Sequence, residues 1–422
     1  MAITSPTTLP TVMTTADGTP LKVSLQRALR RNKFKAFLLV APLLAFILIT
    51  FVLPIGDMLL RSVQNPQVVE IMPNTVQALA RWDGQEVPPE EVFAALVTDL
   101  KKGQQTRDIG KVGNRLNYER PGMISLIRKS ANRAEKIEQG PYKEAMLAVD
   151  KLWGDLTVWR LIKREGRPYT DSYLLAAVDL TRDADGNIVP LPENERIHLK
   201  LFGRTFFLSL LITGLTILLG YPIAYLLATL PARKSNLLMI LVLLPFWTSL
   251  LVRTTSWIVM LQNQGVLNSL LVALGIISDD NRLSLIFNQT GTIIAMTHIL
   301  LPFMILPLYS VMKGIPVNYV RAARSLGANP WLAFWKVYVP QTLPGIGAGG
   351  VLVFILAIGY FITPALVGGA SGQLISNRIA FHMQESLNWG LAAAIGTILL
   401  IAVLLLYLLY NRLVGVDNMK LG

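Results

Sequence analysis

The chain of 422 residues contains no cysteine. Disulfides, zinc-thiolate sites and thiol catalysis are therefore excluded, while the compartment stays open. A Gly-x4-Gly-Lys-Ser/Thr phosphate loop is also missing, so ATP has to be bound by another polypeptide if it is used at all. Histidine is scarce. His198, His298 and His382 lie far apart and share no ligand spacing, and no Ser/His/Asp arrangement is recognisable. Neither a metal site nor a catalytic centre is expected, and His298 is expected to hydrogen-bond locally within its helix, a place in a polar pathway being the alternative. Acidic residues are short too, with Asp+Glu 26 against Lys+Arg 39 and a net charge of +13. Residues 61–199 carry 20 of each sign, which leaves 19 basic and 6 acidic residues elsewhere. The basic excess thus falls on the apolar part of the chain. That is the pattern of cytoplasmic loops that orient a membrane protein, and it removes the argument for a nucleic-acid partner.

What the chain has in abundance is apolar length: 52% of it is hydrophobic. A span needs roughly 20 mostly apolar residues. Six segments qualify, at about 37–60, 205–230, 237–261, 291–312, 346–368 and 389–411. Basic clusters precede the first span (Arg27, Arg30, Arg31, Lys33, Lys35) and recur at Arg233/Lys234, Lys313/Arg321/Arg324/Lys336 and Arg412/Lys420. All of them fall on the cytoplasmic side if both termini do, so parity and charge agree. Residues 1–36 then form a cytoplasmic tail, with the first 26 residues rich in Thr and Pro, and 415–422 a second one. Span one is expected to be a retained signal anchor, because its apolar stretch is too long for a cleaved leader.

The same parity sends residues 61–199 outside. A segment of that length can bury a core of its own, from Trp82, Phe93, Trp153, Trp159, Tyr169 and Tyr173. Pro89–Lys101 and Pro141–Lys163 have helical periodicity, whereas Tyr173–Val189 reads as strand and turn, ending in Asp185-Gly186-Asn187. The expected architecture is an all-α polytopic membrane protein of six transmembrane helices, with a small α+β external domain between helices 1 and 2. Gly265–Ile277 is apolar but too short to cross, which suits an interfacial or re-entrant helix.

Between spans four and five, within residues 314–344, stands Asn318-Tyr-Val-Arg-Ala-Ala-Arg-Ser-Leu-Gly327, followed by Ala328-Asn-Pro-Trp-Leu-Ala-Phe-Trp-Lys-Val-Tyr-Val-Pro340. Asn318 is expected to cap one short helix, Gly327 to end it in a left-handed conformation, and Asn329 with Pro330 to start a second. Ala322 and Ala323 leave a flat face that another backbone can approach. Trp331, Phe334 and Trp335 would anchor the second helix at the membrane interface. The bland alternative is an amphipathic connector.

These residues resemble the EAA loop of binding-protein-dependent ABC importer permeases: Ala322 and Ala323, then Gly327, and the hydrophobic ending Val337-Tyr338-Val339-Pro340. One position departs, because Arg321 stands where the family has Glu. A cation in the first turn of a helix is unfavourable against its dipole, so Arg321 is expected to meet a carboxylate on the ATPase. The resemblance implies a type I importer permease fold, a first short helix seated in a groove of a separate ATPase, and a coupling surface of Arg321, Ala322, Ala323, Arg324, Gly327 and Pro340. It also implies a second permease subunit, an ATPase dimer holding ATP and Mg, and a periplasmic substrate-binding protein, all at a bacterial inner membrane. This chain would bind no cofactor itself and would not be the ATPase.

Leu244–Trp257 and Thr363–Gly369 through Asn388-Trp-Gly390 resemble the polyamine branch of that family, and within it the first of its two permeases. Together with the loop, the likeness covers most of residues 200–414 and span one, but not the insert. Arg253, well inside span three, reads either as a pathway residue or as a side chain snorkelling to the outer headgroups. Trp247, Trp257, Tyr360 and Phe361 offer aromatic faces to an ammonium, and Asp57 and Glu385 offer carboxylates at the external ends of spans. Interfacial packing is the alternative for each aromatic. Other small solutes (a metal ion, an oxyanion, an opine-like amine) stay open, as does a membrane-anchored sensor.

Overall fold

The structure, a computed structural model, describes residues 21–183 and 186–414. The outermost tails with Lys420, and Asp185 of the expected turn signal, lie outside the described residues. Two units are distinct, one ending at Leu60 and one beginning at Arg61. In the first, α1 (Leu21–Ile47) passes through a π-helical turn at Leu48–Val52 into α2 (Leu53–Arg61). The wide turn directly precedes Pro54, whose ring would otherwise press on the Thr50 carbonyl. Its most apolar stretch is wholly exposed.

The second unit opens with the insert. Here α3 (Pro66–Ile71), α4 (Pro73–Ala80), α5 (Glu90–Gln105), α6 (Ile109–Glu119), α7 (Met123–Ala134), α8 (Tyr142–Val149), α9 (Leu156–Glu165) and α10 (Ser172–Ala176) follow one another. Prolines start α3 and α4, where a missing N–H costs nothing. A core forms around Phe93, Trp153 and Trp159, all fully buried. Both indoles find acceptors: Trp153 Nε1 donates to Ser130 Oγ at 2.8 Å and Trp159 Nε1 to the Trp153 carbonyl at 2.8 Å. Buried Asp99 accepts from the Thr75 N–H and hydroxyl at 2.7 Å each, so a carboxylate on α5 covers the start of α4.

The β content is smaller than expected. It amounts to one hairpin, β1 (Leu180–Arg182) paired antiparallel with β2 (Ile188–Pro190), and Tyr173 lies in α10 rather than in a strand. Helices carry the core because the apolar residues before 166 recur at helical spacing. Tyr173 is buried elsewhere, and Tyr169 is exposed.

Helices α11 (His198–Thr229), α12 (Ala232–Leu243), α13 (Leu250–Leu261), α14 (Val266–Ala273) and α15 (Gln289–Gly314) come next. They are followed by α16 (Val317–Ser325), α17 (Pro330–Ala333), α18 (Val339–Gly359), α19 (Ile362–Val367), α20 (Gly369–Gly372), α21 (Ile375–Gln384) and α22 (Trp389–Val414). The central packing is α11 on α15 on α18, through Leu208, Ile212, Met304, Leu308, Val353 and Ala357. A Cβ on Gly349 would stand 2.8 Å from Met304 Sδ. Close helix approach at such small residues replaces the hydrophobic drive that lipid cannot supply. Among the described residues, five helices are long and apolar enough to cross a membrane, or six if one bent pair counts as a span.

That bent pair corrects span three. Instead of one rod over 237–261, the chain turns by 98° between Trp247 and Leu250. Pro245 tightens the end of the first limb into a 3-10 turn, and Ser249 Oγ caps the second by accepting from Val252 N at 3.2 Å. Span five is corrected as well. A helical run already begins at Pro330 and ends at Gly359. Pro364 stops it, since an unbroken helix would press its ring against the Tyr360 carbonyl. The freed Tyr360 carbonyl accepts instead from Ser376 Oγ at 2.5 Å, and the Phe361 carbonyl accepts from Asn377 Nδ2 at 2.7 Å as well as from Ala365 N at 3.0 Å.

Candidate functional site

The helix–Gly–helix loop is built by its terminal residues. Helix α16 ends in a Schellman motif: Gly327 N donates to the Arg324 carbonyl and Ala328 N to the Ala323 carbonyl, with Gly327 at φ 93°. Asn329 Oδ1 then accepts from Leu332 N at 2.7 Å to start α17. The turn and second cap are thus as expected. The first cap is not: Pro316 holds that position, and Asn318 is already inside the helix. Arg321 is the fifth residue of α16, beyond the first turn, so the dipole argument for it falls.

One aromatic box ties the loop to the core. Phe334 sits 5.6 Å from Tyr225 and 5.8 Å from Tyr338, ring to ring, and 6.2 Å from Tyr221. Thr342 donates to the Val339 carbonyl, which makes Tyr221 the donor in its 3.2 Å contact with Thr342. Phe334 is therefore an internal anchor, while Trp331 and Trp335 stay exposed. The Tyr221/Tyr225 pair on α11 was not singled out in the sequence, although its i,i+4 spacing matches that of Phe334/Tyr338. The outer face of α16 is bare: Val317, Tyr319, Arg321, Ala322 and Arg324 are exposed, as are Leu326 and Gly327 beyond it. Ala323 is half-buried, and Pro340 lies exposed in the first turn of α18.

A second cluster forms where α13, α15 and the end of α18 meet. Arg253 Nη2 folds back onto the Thr248 carbonyl at 3.0 Å, over the bend. Its Nε is buried without a partner. A guanidinium deep in a span costs about 2.5–3.5 kcal/mol on insertion scales. Trp257 Nε1 donates to His298 Nδ1 at 3.2 Å, with ring centroids 5.2 Å apart. The expected local bond of His298 is thus replaced by one between helices. Beside them, the Thr254 hydroxyl donates to the Leu250 carbonyl and accepts from Thr363 Oγ1 at 3.3 Å.

Of the expected pathway residues, Arg253 and Trp257 share α13 one turn apart, and Tyr360 ends α18 three residues before Thr363, the partner of Thr254. Trp247 is exposed at the bend, and Phe361 half-emerges beside Tyr360. Glu385 is exposed at the end of α21, and Asp57 belongs to the first unit.

The insert joins the core through a polar seam. Buried Arg115 meets Glu165 at 2.5 Å, Glu119 at 2.9 Å and Asn65 Oδ1 at 2.8 Å, and covers the Tyr173 ring at 4.7 Å. Burial pushes the Tyr173 hydroxyl up to about 12 and raises the Glu165 carboxyl, in both cases against the pull of Arg115. The other edge of Tyr173 rests on Gly390, where a Cβ would come within 2.4 Å of the ring. Asp179 accepts from the backbone N–H groups of Ile197, His198 and Leu199 and caps α11. His198 and His382, unrelated in sequence, have centroids 6.1 Å apart. Burial and the nearby Arg378 push His382 down to about 4.

Residues 216–416, which hold the loop and the intramembrane cluster, match the family "Binding-protein-dependent transport system inner membrane component". Over 255 residues the chain is 36% identical to "Spermidine/putrescine transport system permease protein PotB" of Haemophilus influenzae, covering 58% of this chain and 88% of the relative. The protein of the same name from Escherichia coli is 37% identical over 249 residues, 57% of this chain and 90% of that one. The chain belongs to this family of transport-system inner membrane components. The permease is 28% identical over 197 residues to "Molybdenum transport system permease protein ModB" of Mycobacterium bovis, covering 46% of this chain and 72% of that relative. It is a multi-pass membrane protein and the permease subunit of an ABC importer, with ATP hydrolysis in a separate subunit.

Proposed function

We propose that this permease imports a polyamine, putrescine or spermidine, across a bacterial inner membrane with both termini in the cytoplasm. The observation that carries the reading is its 36% identity to a permease named for spermidine and putrescine, over 88% of that protein's length. A periplasmic binding protein delivers the solute, and a second permease subunit completes the path. An ATPase dimer holding ATP and Mg closes against α16 through Arg321, Ala322, Ala323 and Arg324. Gly327 sets the angle of the lever and Pro340 begins its rigid arm. Closure of the ATPases can only move the core if the lever does not bend, and the Phe334 box supports that requirement. Trp257 and Tyr360 line the path, with Trp247 and Phe361 at its mouth, and Asp57 and Glu385 draw cations towards it. The insert, being on the side of arrival, touches the binding protein.

The test is ATP-dependent uptake into proteoliposomes carrying all four kinds of subunit. Saturable uptake of radiolabelled putrescine or spermidine, lost without ATP or binding protein, is expected. Uptake of neither, by a complex that hydrolyses ATP on adding the binding protein loaded with another solute, would replace the substrate. Importing another solute with the same machine is the second reading, favoured by the cation Arg253 inside the path.

A further inference from the structure

The Arg253 cluster offers donors and almost no acceptors. An indole N–H can only donate, so the 3.2 Å contact from Trp257 fixes His298 Nδ1 as a lone pair and leaves the ring proton on Nε2. Towards its exposed side His298 thus presents an N–H. Arg253 has five donors, gives one to the Thr248 carbonyl, and keeps a buried Nε unused. An ammonium, itself only a donor, finds one acceptor at best in this group, whereas a carboxylate can accept from every member.

The chain has almost nothing with which to supply that carboxylate. From Arg196 to Val416 the only acidic residues are Asp279, Asp280 and Glu385. Asp279 is held by Arg282 at 2.7 Å beyond α14, and Glu385 ends α21. Among the described residues no carboxylate pairs with Arg253. A cation in this position needs a counter-ion or a water-filled path.

We propose that Arg253 and His298 form a site for a carboxylate from outside this chain, with Trp257 holding the histidine in its donor form. The carboxylate comes either from an acidic side chain of the second permease subunit or from the transported solute. The inference rests on the importer reading above.

Arg253→Lys in the complete reconstituted transporter separates the two sources. A carboxylic acid adds across one C=N bond of dicyclohexylcarbodiimide, its proton going to nitrogen and its oxygen to the central carbon, to give an O-acylisourea. The lysine amine then attacks its carbonyl carbon, an amide forms, and dicyclohexylurea leaves with the carboxyl oxygen. A covalent adduct between the two permease subunits, absent in the unmodified protein and in Arg253→Gln, is the result expected for a subunit carboxylate. For a solute carboxylate there is no adduct. Arg253→Gln then raises the KM for 4-aminobutyrate at least tenfold more than the KM for putrescine.

No adduct, with equal shifts for both solutes, would overturn the proposal. Should the Arg253 variants fail to co-purify with their partners, Trp257→Phe is read instead. It leaves Arg253 on Thr248 but frees the tautomer, and should lower uptake at least threefold; unchanged uptake would overturn the proposal. A transporter that moves no polyamine at all sinks the substrate reading, yet the cross-link can still be scored.

Discussion

The insert and the helical core handle charge in opposite ways. In the insert, Arg115, Arg164, Glu119 and Glu165 form one network, Arg120 meets Asp155 at 2.8 Å, and Arg182 meets Asp171. In the core, Arg253, Arg321 and Arg324 carry no ion pair among the described residues. A charge satisfied within its own chain has a structural explanation. Left without a partner in its own chain, as at Arg253, Arg321 and Arg324, it leaves room for a partner the chain meets. These insert charges therefore have their partners within the chain, whereas the core reads as one part of a larger assembly.

Breaking the inward-facing half of this contrast should have the largest effect. Arg115→Ala leaves Glu165 buried without its partner and is expected to cost about 3–5 kcal/mol, read as a lowered unfolding midpoint in detergent. Acid is the next test. His382 refuses a proton in the folded state until about pH 4, while the unfolded chain takes it up near 6.5. Stability should hold above pH 6.5 and fall as pH drops towards 4, by up to about 3 kcal/mol at 1.36 kcal/mol per unit. Arg378 and His198 add to this exclusion and Asp179 faces His198. His382→Gln should flatten the profile, and an unchanged slope would remove His382 as its source. Gly390→Ala then asks whether insert and core are truly fitted. Its methyl meets Tyr173, and overpacking of this kind costs about 1–3 kcal/mol. The smallest effect on stability belongs to the outward-facing half: Arg321→Ala should change unfolding by under about 0.5 kcal/mol, yet reduce co-purification of the ATPase. A large loss of stability with normal co-purification would reverse the assignment.

Much of this was legible in the sequence, and the limits have physical causes. Apolar length placed α15 and α22 within a few residues and found the end of α11 but not its first seven residues, because a long hydrophobic run has few other uses. It missed the bend at Thr248-Ser249 and the stop at Tyr360, where two prolines and side-chain caps act within segments of uniform hydropathy. Gly327 and Asn329 were readable because their effect is local. The cap assigned to Asn318 failed because Pro316 starts the helix two residues earlier. Non-local partnerships were out of reach: nothing near Trp257 announces His298, and nothing near Arg115 announces Tyr173 and Gly390.

The central claim is that α16 meets a separate ATPase. The absence of cysteine makes its test clean, because Ala322→Cys creates the single thiol of the chain. In proteoliposomes with the full transporter, a bifunctional thiol reagent should join this position to a cysteine placed in the groove of the ATPase, in amounts that change with ATP. Undiminished uptake with no cross-link to the ATPase in any nucleotide state would contradict the account.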